Sequence, residues 1–343
     1  MMAQNGMTES SALLDENGYL IQKGWAKQLI LNYDRKAIQG WGSSLRVKEW
    51  DCYEIMNSEF GLSLIIADVG YFGMATVTLL DFKEKKVYPG LGLKLFTRGK
   101  LNLPPSANEG DSFFEKGNSK LSFVRNGDRL LLSVDLPHFN KRGIKGEITL
   151  YKNPNQDTMV NVIPFKNKRH FVYVQKANCM PAEGTVHFGD AKYEFSQTNN
   201  SFACLDWSRG VFPYRTTWYW GSASSLCKGK PFGFNLDYGF GDESVSSKNM
   251  ILYDGVGHKL DQITFHFDRN DWMKPWTFTS NDGRFEMALE PIFHNKTSLN
   301  LLILKTGGNK VWGYYTGDCI LDTGEKLHID KLFGFAETFS HRW

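Results

Sequence analysis

The sequence predicts an all-β protein made of two antiparallel barrel-like domains side by side. Short segments of β-branched and aromatic residues recur at intervals of about ten residues along the whole chain. Turn signals such as Asn126-Gly127-Asp128, Asp254-Gly255 and Asn281-Asp282-Gly283 stand between them. Helix signals are scarce, while aromatics reach 14% of 343 residues, with 25 Phe and 14 Tyr. That load suits sheets that enclose apolar space. Each half carries about eight to ten candidate strands, which fits two barrels better than one sheet.

In chain order, residues 1–20 read as an extension, with a short helical turn over Thr8 to Asp15. The first barrel is expected over 21–155. It begins with a strand from Trp25 to Tyr33, then Gly40 to Trp50, Cys52 to Ser58, Leu62 to Asp68 and Gly73 to Leu80. Lys85 to Tyr88, Leu93 to Thr97, Lys120 to Arg125, Arg129 to Leu136 and Gly146 to Tyr151 continue the series. Lys152 to Asp157, KNPNQD, is the most linker-like break. The second barrel is expected over 156–343. Phe171 to Gln175, Gly184 to Phe188 and Lys192 to Phe195 open it. In Phe232 to Phe240, Phe232, Phe234, Leu236, Tyr238 and Phe240 share one face, with Asn235 and Asp237 on the other. Met250 to Tyr253, Gln262 to Asp268, Trp276 to Thr279, Arg284 to Glu290, Ser298 to Lys305 and Val311 to Thr316 complete the count.

Composition narrows the function. Net charge is +3, and Lys83 to Lys86 and Lys166 to Arg169 are short runs of the kind found at hairpin tips, so no nucleic-acid partner is expected. The five cysteines include no C-x-x-C pair, and no two histidines have metal-ligand spacing with a carboxylate; neither a disulfide framework nor a metal is expected. No stretch approaches eighteen uninterrupted apolar residues and no signal-peptide pattern opens the chain, so no membrane span and a cytoplasmic location are expected. Phosphate-loop, dinucleotide-fold, zinc-peptidase and α/β-hydrolase signatures are missing, and no cofactor is predicted.

The densest chemistry lies in Asp206 to Gly221, DWSRGVFPYRTTWYWG, which holds three of the ten tryptophans. As a strand, Arg215 to Trp220 puts Arg215, Thr217 and Tyr219 on one face and Thr216, Trp218 and Trp220 on the other. A buried guanidinium must find a carboxylate or carbonyls. Asp206 and Arg209 supply part of such a network, which reads either as a structural ion pair or as a ligand site. Asn235 and Asp237, on the next strand, are expected opposite Arg215 or Tyr219. Asp242 and Glu243 are adjacent, so at most one faces any site, and a solvated turn is the simpler reading. His258 and His266 read as ordinary strand histidines. Glu337 and the ending Arg342-Trp343 read as structural closure of the second barrel.

At these residues the chain resembles the bacterial family called domain of unknown function 2804. The resemblance rests on DWSRGVFPYRTTWYWGSASS, GFNLDYGFGD, KNMILYDGVGHKL and GFAETFSHRW, and with QGWGSSLRVKEWDCYEI it covers almost the whole chain. More distantly the layout is similar to double-lipocalin proteins, which include carotenoid hydratases, tocopherol cyclases and pericyclases. That architecture implies two calycin-type, lipocalin-like barrels and an aromatic-lined pocket for a hydrophobic or amphiphilic small molecule such as a lipid or isoprenoid, with hydratase, lyase or isomerase chemistry. Proton-driven chemistry of that kind would use Asp206 as the acid, with Tyr214, Trp218 and Trp220 around a developing cation. Arg209 and Arg215 would hold an anionic head. A non-catalytic carrier is a competing reading, and a carbohydrate site is a third, since tryptophan, tyrosine and carboxylates also build those.

Overall fold

The computed structural model describes residues 4–40, 42–301 and 304–342. Strands dominate, in two large antiparallel sheets with one apolar cluster inside each. The spine of the first sheet runs Lys86–Leu95, Phe72–Asp81, Phe60–Asp68, Val47–Met56, Phe202–Val211, Phe171–Phe188, Ile144–Tyr151, Arg129–Leu136, Ser119–Asn126, Ser112–Lys116. Its two ends curl toward one another: Lys94 of one end strand lies 5.1 Å over the Phe114 ring of the other. The second sheet runs Val256–Lys259, Met250–Tyr253, Lys230–Tyr238, Arg215–Cys227, Lys326–Arg342, Leu304–Ile320, Phe285–Leu301, Trp276–Ser280, Ile263–His266. Only residues 260–262 separate its first strand from its last, which turns the sheet back on itself. No helix among the described residues is long and apolar enough to cross a membrane.

Turn chemistry sets the registers. Tyr253 pairs with Val256, leaving Asp254 and Gly255 as a two-residue loop with both φ angles in the left-handed region (52° and 81°). Asp-Gly tolerates that conformation, and it matches the twist of the flanking strands. Arg129 likewise pairs with Asn126 across Gly127-Asp128.

The chain passes from one sheet to the other at 212–214, between Val211 and Arg215. Strands between 159 and 211, assigned above to the second barrel, therefore hydrogen-bond in the first sheet. Polar KNPNQD is a loop within that sheet's connections rather than the crossing point. Several strands also merge or shorten. Phe171–Phe188 is one strand interrupted by a bulge between Ala177 and Met180, with Cys179 in the left-handed region (φ 57°). Gly40 to Ser58 resolves into a short helix, Ser43–Arg46, and the strand Val47–Met56. Trp25 to Tyr33 holds only Gly24–Ala26 and Leu31–Asn32, and the predicted helical turn near the start is instead a two-residue strand, Ser11–Ala12. Gly307 and Gly308 lie inside the long strand Leu304–Ile320, which runs through the break expected between Lys305 and Val311. There Gly308 leaves room for the Phe339 ring, which a Cβ would strike.

The Phe232 to Phe240 alternation holds as far as Tyr238, where the strand ends; that apolar face fills the second barrel instead of lining a pocket, and Phe240 packs elsewhere, against Phe212. Phe234 meets Tyr315 at 4.9 Å, Tyr315 meets Phe278 at 5.2 Å, and Phe278 meets Phe265 at 4.7 Å, ring centre to ring centre. The first and last of these contacts are edge-on, a favoured packing of aromatic rings. The barrels then lie against one another through their outer faces, so the central strands of both sheets are buried on two sides.

Candidate functional site

Strand alternation determines what enters the seam between the barrels. Along Val47–Met56, Tyr53 and Ile55 enter the first core, so Cys52 and Glu54 face outward. Along Phe202–Val211, Leu205 and Trp207 enter the core while Cys204, Asp206 and Ser208 face outward. Lys176 joins them, paired with Asp206 across the ladder. The second sheet contributes Trp218, Trp220, Asn235, Asp237, Lys310 and Glu337, again opposite the residues that fill its core.

These residues form a buried polar chain. Lys310 donates to Glu54 of the first sheet at 3.0 Å and lies 3.2 Å from Glu337 of its own. Lys176 of the first sheet lies 2.9 Å from Asp206 and 3.9 Å from Asp237 of the second. Lys248 continues the chain, 2.7 Å from Asp237 and 3.9 Å from half-buried Glu243. The Trp220 indole sits between two lysines, with Lys176 3.9 Å and Lys310 5.5 Å from its ring centre. Its N–H donates to Asn235 at 2.7 Å, and the Asn235 amide donates in turn to the Lys248 carbonyl at 2.6 Å. Beside Lys176, Asn178 and Asn235 lies a cavity of about 10 Å³, the size of one water.

Five carboxyl groups thus face three ammonium groups, and burial acts on the excess. Burial pushes the Glu337 carboxyl up, more strongly than Lys310 and the Trp218 N–H pull it down. Glu243 is raised for the same reason, against Lys248. Lys310 and Lys176 go the other way: burial lowers them, but their carboxylate partners outweigh it and both stay above the usual lysine value. The Cys52 and Cys204 thiols on this face are also pushed up by burial, Cys204 to about 12, so neither supplies a thiolate nucleophile.

At one end the seam becomes aromatic. Half-buried Trp218 donates from its N–H to Glu337 at 3.1 Å and stacks on His341 at 4.5 Å. It also meets Phe240 edge-on at 5.8 Å, and Phe240 meets Phe212, which packs against Trp50 at 5.3 Å. Burial holds His341 down at about 4, so its imidazole is neutral around pH 7. The arrangement places the Glu337 carboxyl, raised by burial and paired with Lys310, beside a cluster of aromatic rings.

Of the residues singled out from sequence, Asp206, Trp218, Trp220, Asn235 and Asp237 converge on this seam. The other four do not. Arg209 is three residues from Asp206 and so points the opposite way, into the first barrel, where it pairs with Asp51 at 2.8 Å. Asp206 pairs with Lys176 instead. Tyr214 and Arg215 are exposed, at the crossing between the sheets. Tyr219 lies on the core side of its strand, stacked on Tyr238 at 4.2 Å. The register pairs Tyr219 with Tyr238, so Asp237 sits across from Trp220 and Asn235 from Ser222, not from Arg215 or Tyr219. Of the Asp242 and Glu243 pair, only Glu243 turns inward. Lys176, Lys310 and Glu54 escaped the sequence reading, and Glu337, read there as structural closure, joins them in the seam. Among the described residues no group of three or more His, Cys, Asp and Glu is set to hold a metal.

Comparison with known proteins identifies the family. The profile of domain of unknown function DUF2804 matches residues 4–343. The chain belongs to the DUF2804 family. Among curated proteins none matches. Among solved structures, an AttH-like protein from Nitrosomonas europaea is similar at 12% identity with a TM-score of 0.50, covering 88% of this chain and 94% of that one. Kievitone hydratase from Nectria haematococca is similar at 9% identity with a TM-score of 0.48, covering 86% and 88%. At such identities the likeness is one of fold: for the DUF2804 chain, two lipocalin-like antiparallel barrels side by side.

Proposed function

We propose that this DUF2804 protein binds a small amphiphilic molecule where the seam opens at Trp218, and transfers a proton to it from Glu337. The apolar body of the molecule lies against the Trp50, Phe212, Trp218 and Phe240 rings, and its polar end reaches toward Glu337. The observation that carries this reading is Glu337 itself, a carboxyl raised by burial and hydrogen-bonded to a half-buried indole. A carboxyl raised by burial releases its proton at higher pH than one in free solvent, which suits it better to act as a general acid. Asp206, 2.9 Å from Lys176, lies in the same buried chain of ion pairs. The reaction class this supports is proton-dependent hydration, elimination or isomerisation. Arg209 belongs to the first barrel's interior and Arg215 to the surface, so neither serves as the anion anchor.

Native mass spectrometry of freshly purified protein, with organic extraction of what it releases, tests the reading. Wild type should retain, or take up from a panel of fatty acids and isoprenoid alcohols, a small molecule that Trp218→Ala and Glu337→Gln lose. Equal retention by both variants would overturn the assignment, as would a wild type that neither carries nor takes up any such molecule.

A further inference from the structure

One end of the first barrel carries an exposed apolar tip ringed by basic residues. On the end strand Lys86–Leu95, Gly92 and Lys94 turn toward the Phe114 ring, so Leu91, Leu93 and Leu95 face outward. Leu91 is 52% exposed, Leu95 75% and the following Phe96 62%. Isolated exposed leucines are ordinary; a row of them running into an exposed phenylalanine is not.

The tip is also held in shape. Buried Asp68 accepts the Gly70 N–H at 3.0 Å and the Gly99 N–H at 2.9 Å, tying two loops together. Phe96 N–H donates to Tyr71 O at 2.7 Å and Arg98 N–H to Gly70 O at 2.8 Å. Phe96 and Arg98 both adopt the left-handed region, with φ of 53° and 50°, which is uncommon for an aromatic residue. The loop therefore fixes Phe96 outward at some cost in backbone strain.

Charge around the tip has one sign. Residues 85–108 contain five Lys and Arg and no Asp or Glu. Arg98 and Lys100 are exposed beside Phe96, and Arg46 is exposed at the end of the short helix whose Leu45 backbone packs on Gly70. The one acid in the two tip loops, Asp68, is fully buried and spent on backbone N–H groups. Tyr214 lies close enough to Tyr71 to raise its pKa, after the larger effect of burial, which links the tip to Phe212 and the aromatic end of the seam.

We propose that this tip docks the protein on the surface of an anionic phospholipid bilayer, with Leu95 and Phe96 entering the headgroup region and Arg46, Arg98 and Lys100 facing lipid phosphates. Apolar side chains at the boundary and basic residues around them are the two components of reversible peripheral binding. The inference stands independently of what the seam binds.

Flotation of the full-length protein with vesicles of phosphatidylcholine, with and without phosphatidylglycerol, tests it. Wild type should float with the anionic vesicles only, and less so as salt rises. Leu95→Ser with Phe96→Ser should abolish flotation. Arg98→Glu with Lys100→Glu should weaken it by at least about thirtyfold, since each basic residue near such a surface contributes about fivefold. Both pairs are exposed, and an unchanged circular dichroism spectrum confirms that they fold. Absence of wild-type flotation, or flotation unchanged in both variants, would overturn the proposal. So would a dimer in sedimentation velocity that Leu95→Ser with Phe96→Ser dissolves, which would give the patch to a second copy of the chain.

Discussion

Lys310→Met is expected to destabilise the protein by about 3–5 kcal/mol, among the largest effects of any single substitution in the chain. Lys310 comes from the second sheet and neutralises Glu54 of the first together with Glu337 of its own. Its ammonium also lies 3.8 Å over the Phe335 ring, so the methylene stem is already packed in apolar surroundings. Methionine fills that volume but leaves two buried carboxyl groups with no cation between them. A buried ion pair adds little over a well-packed apolar pair, but breaking one from a single side is severe. The triple variant Lys310→Met, Glu54→Gln, Glu337→Gln should therefore recover most of the loss. Urea unfolding of the single and triple variants measures both quantities. A single variant as stable as wild type, or a triple variant no better than the single, would refute the charge accounting of the seam.

Arg209→Met is expected to cost a similar amount, about 3–5 kcal/mol, but for a different reason. The guanidinium is wholly buried inside the first barrel and shares its donors among Asp51 at 2.8 Å, Pro104 O at 2.8 Å, Trp50 O at 2.8 Å and Ser208 O at 2.9 Å. It also stacks on Trp207, 4.5 Å from the ring centre. Removing it orphans a carboxylate and several carbonyl oxygens at once, and lysine cannot reproduce the planar set of donors. Arg215→Ala, by contrast, should change stability by no more than about 0.5 kcal/mol, because Arg215 is exposed. The folded fraction of Arg209→Met should keep whatever molecule the wild type retains. Loss of that molecule from folded Arg209→Met would return Arg209 to the ligand site and contradict the geometry.

These two arginines illustrate how far the sequence can be read. Period-two alternation correctly separated Arg215 and Tyr219 from Trp218 and Trp220, and Asn235 and Asp237 from the phenylalanines beside them. Alternation says which residues share a face. It does not say whether that face meets a core, a second sheet or water, because nothing local encodes the partner surface. Asn235 and Asp237 were expected beside Arg215 for that reason, when the register of the hairpin sets them against Ser222 and Trp220. The phenylalanine alternation was likewise legible as a strand, but whether it fills or lines a barrel depends on Tyr315 and Phe278, far along the chain. Lys176, Lys310 and Glu337 stand among other charged residues of their strands, with nothing local to mark them out. Their meaning emerges only when the two sheets meet, as where Lys310 reaches Glu54, 256 positions away.

The most direct test of the seam as the functional site is a crystal structure of the protein carrying the molecule it retains. That molecule should lie against Trp218 and Phe240, with its polar end within hydrogen-bonding distance of Glu337. A molecule enclosed among Phe232, Phe234 and Phe278 inside the second barrel would contradict it, and would make the seam a structural joint.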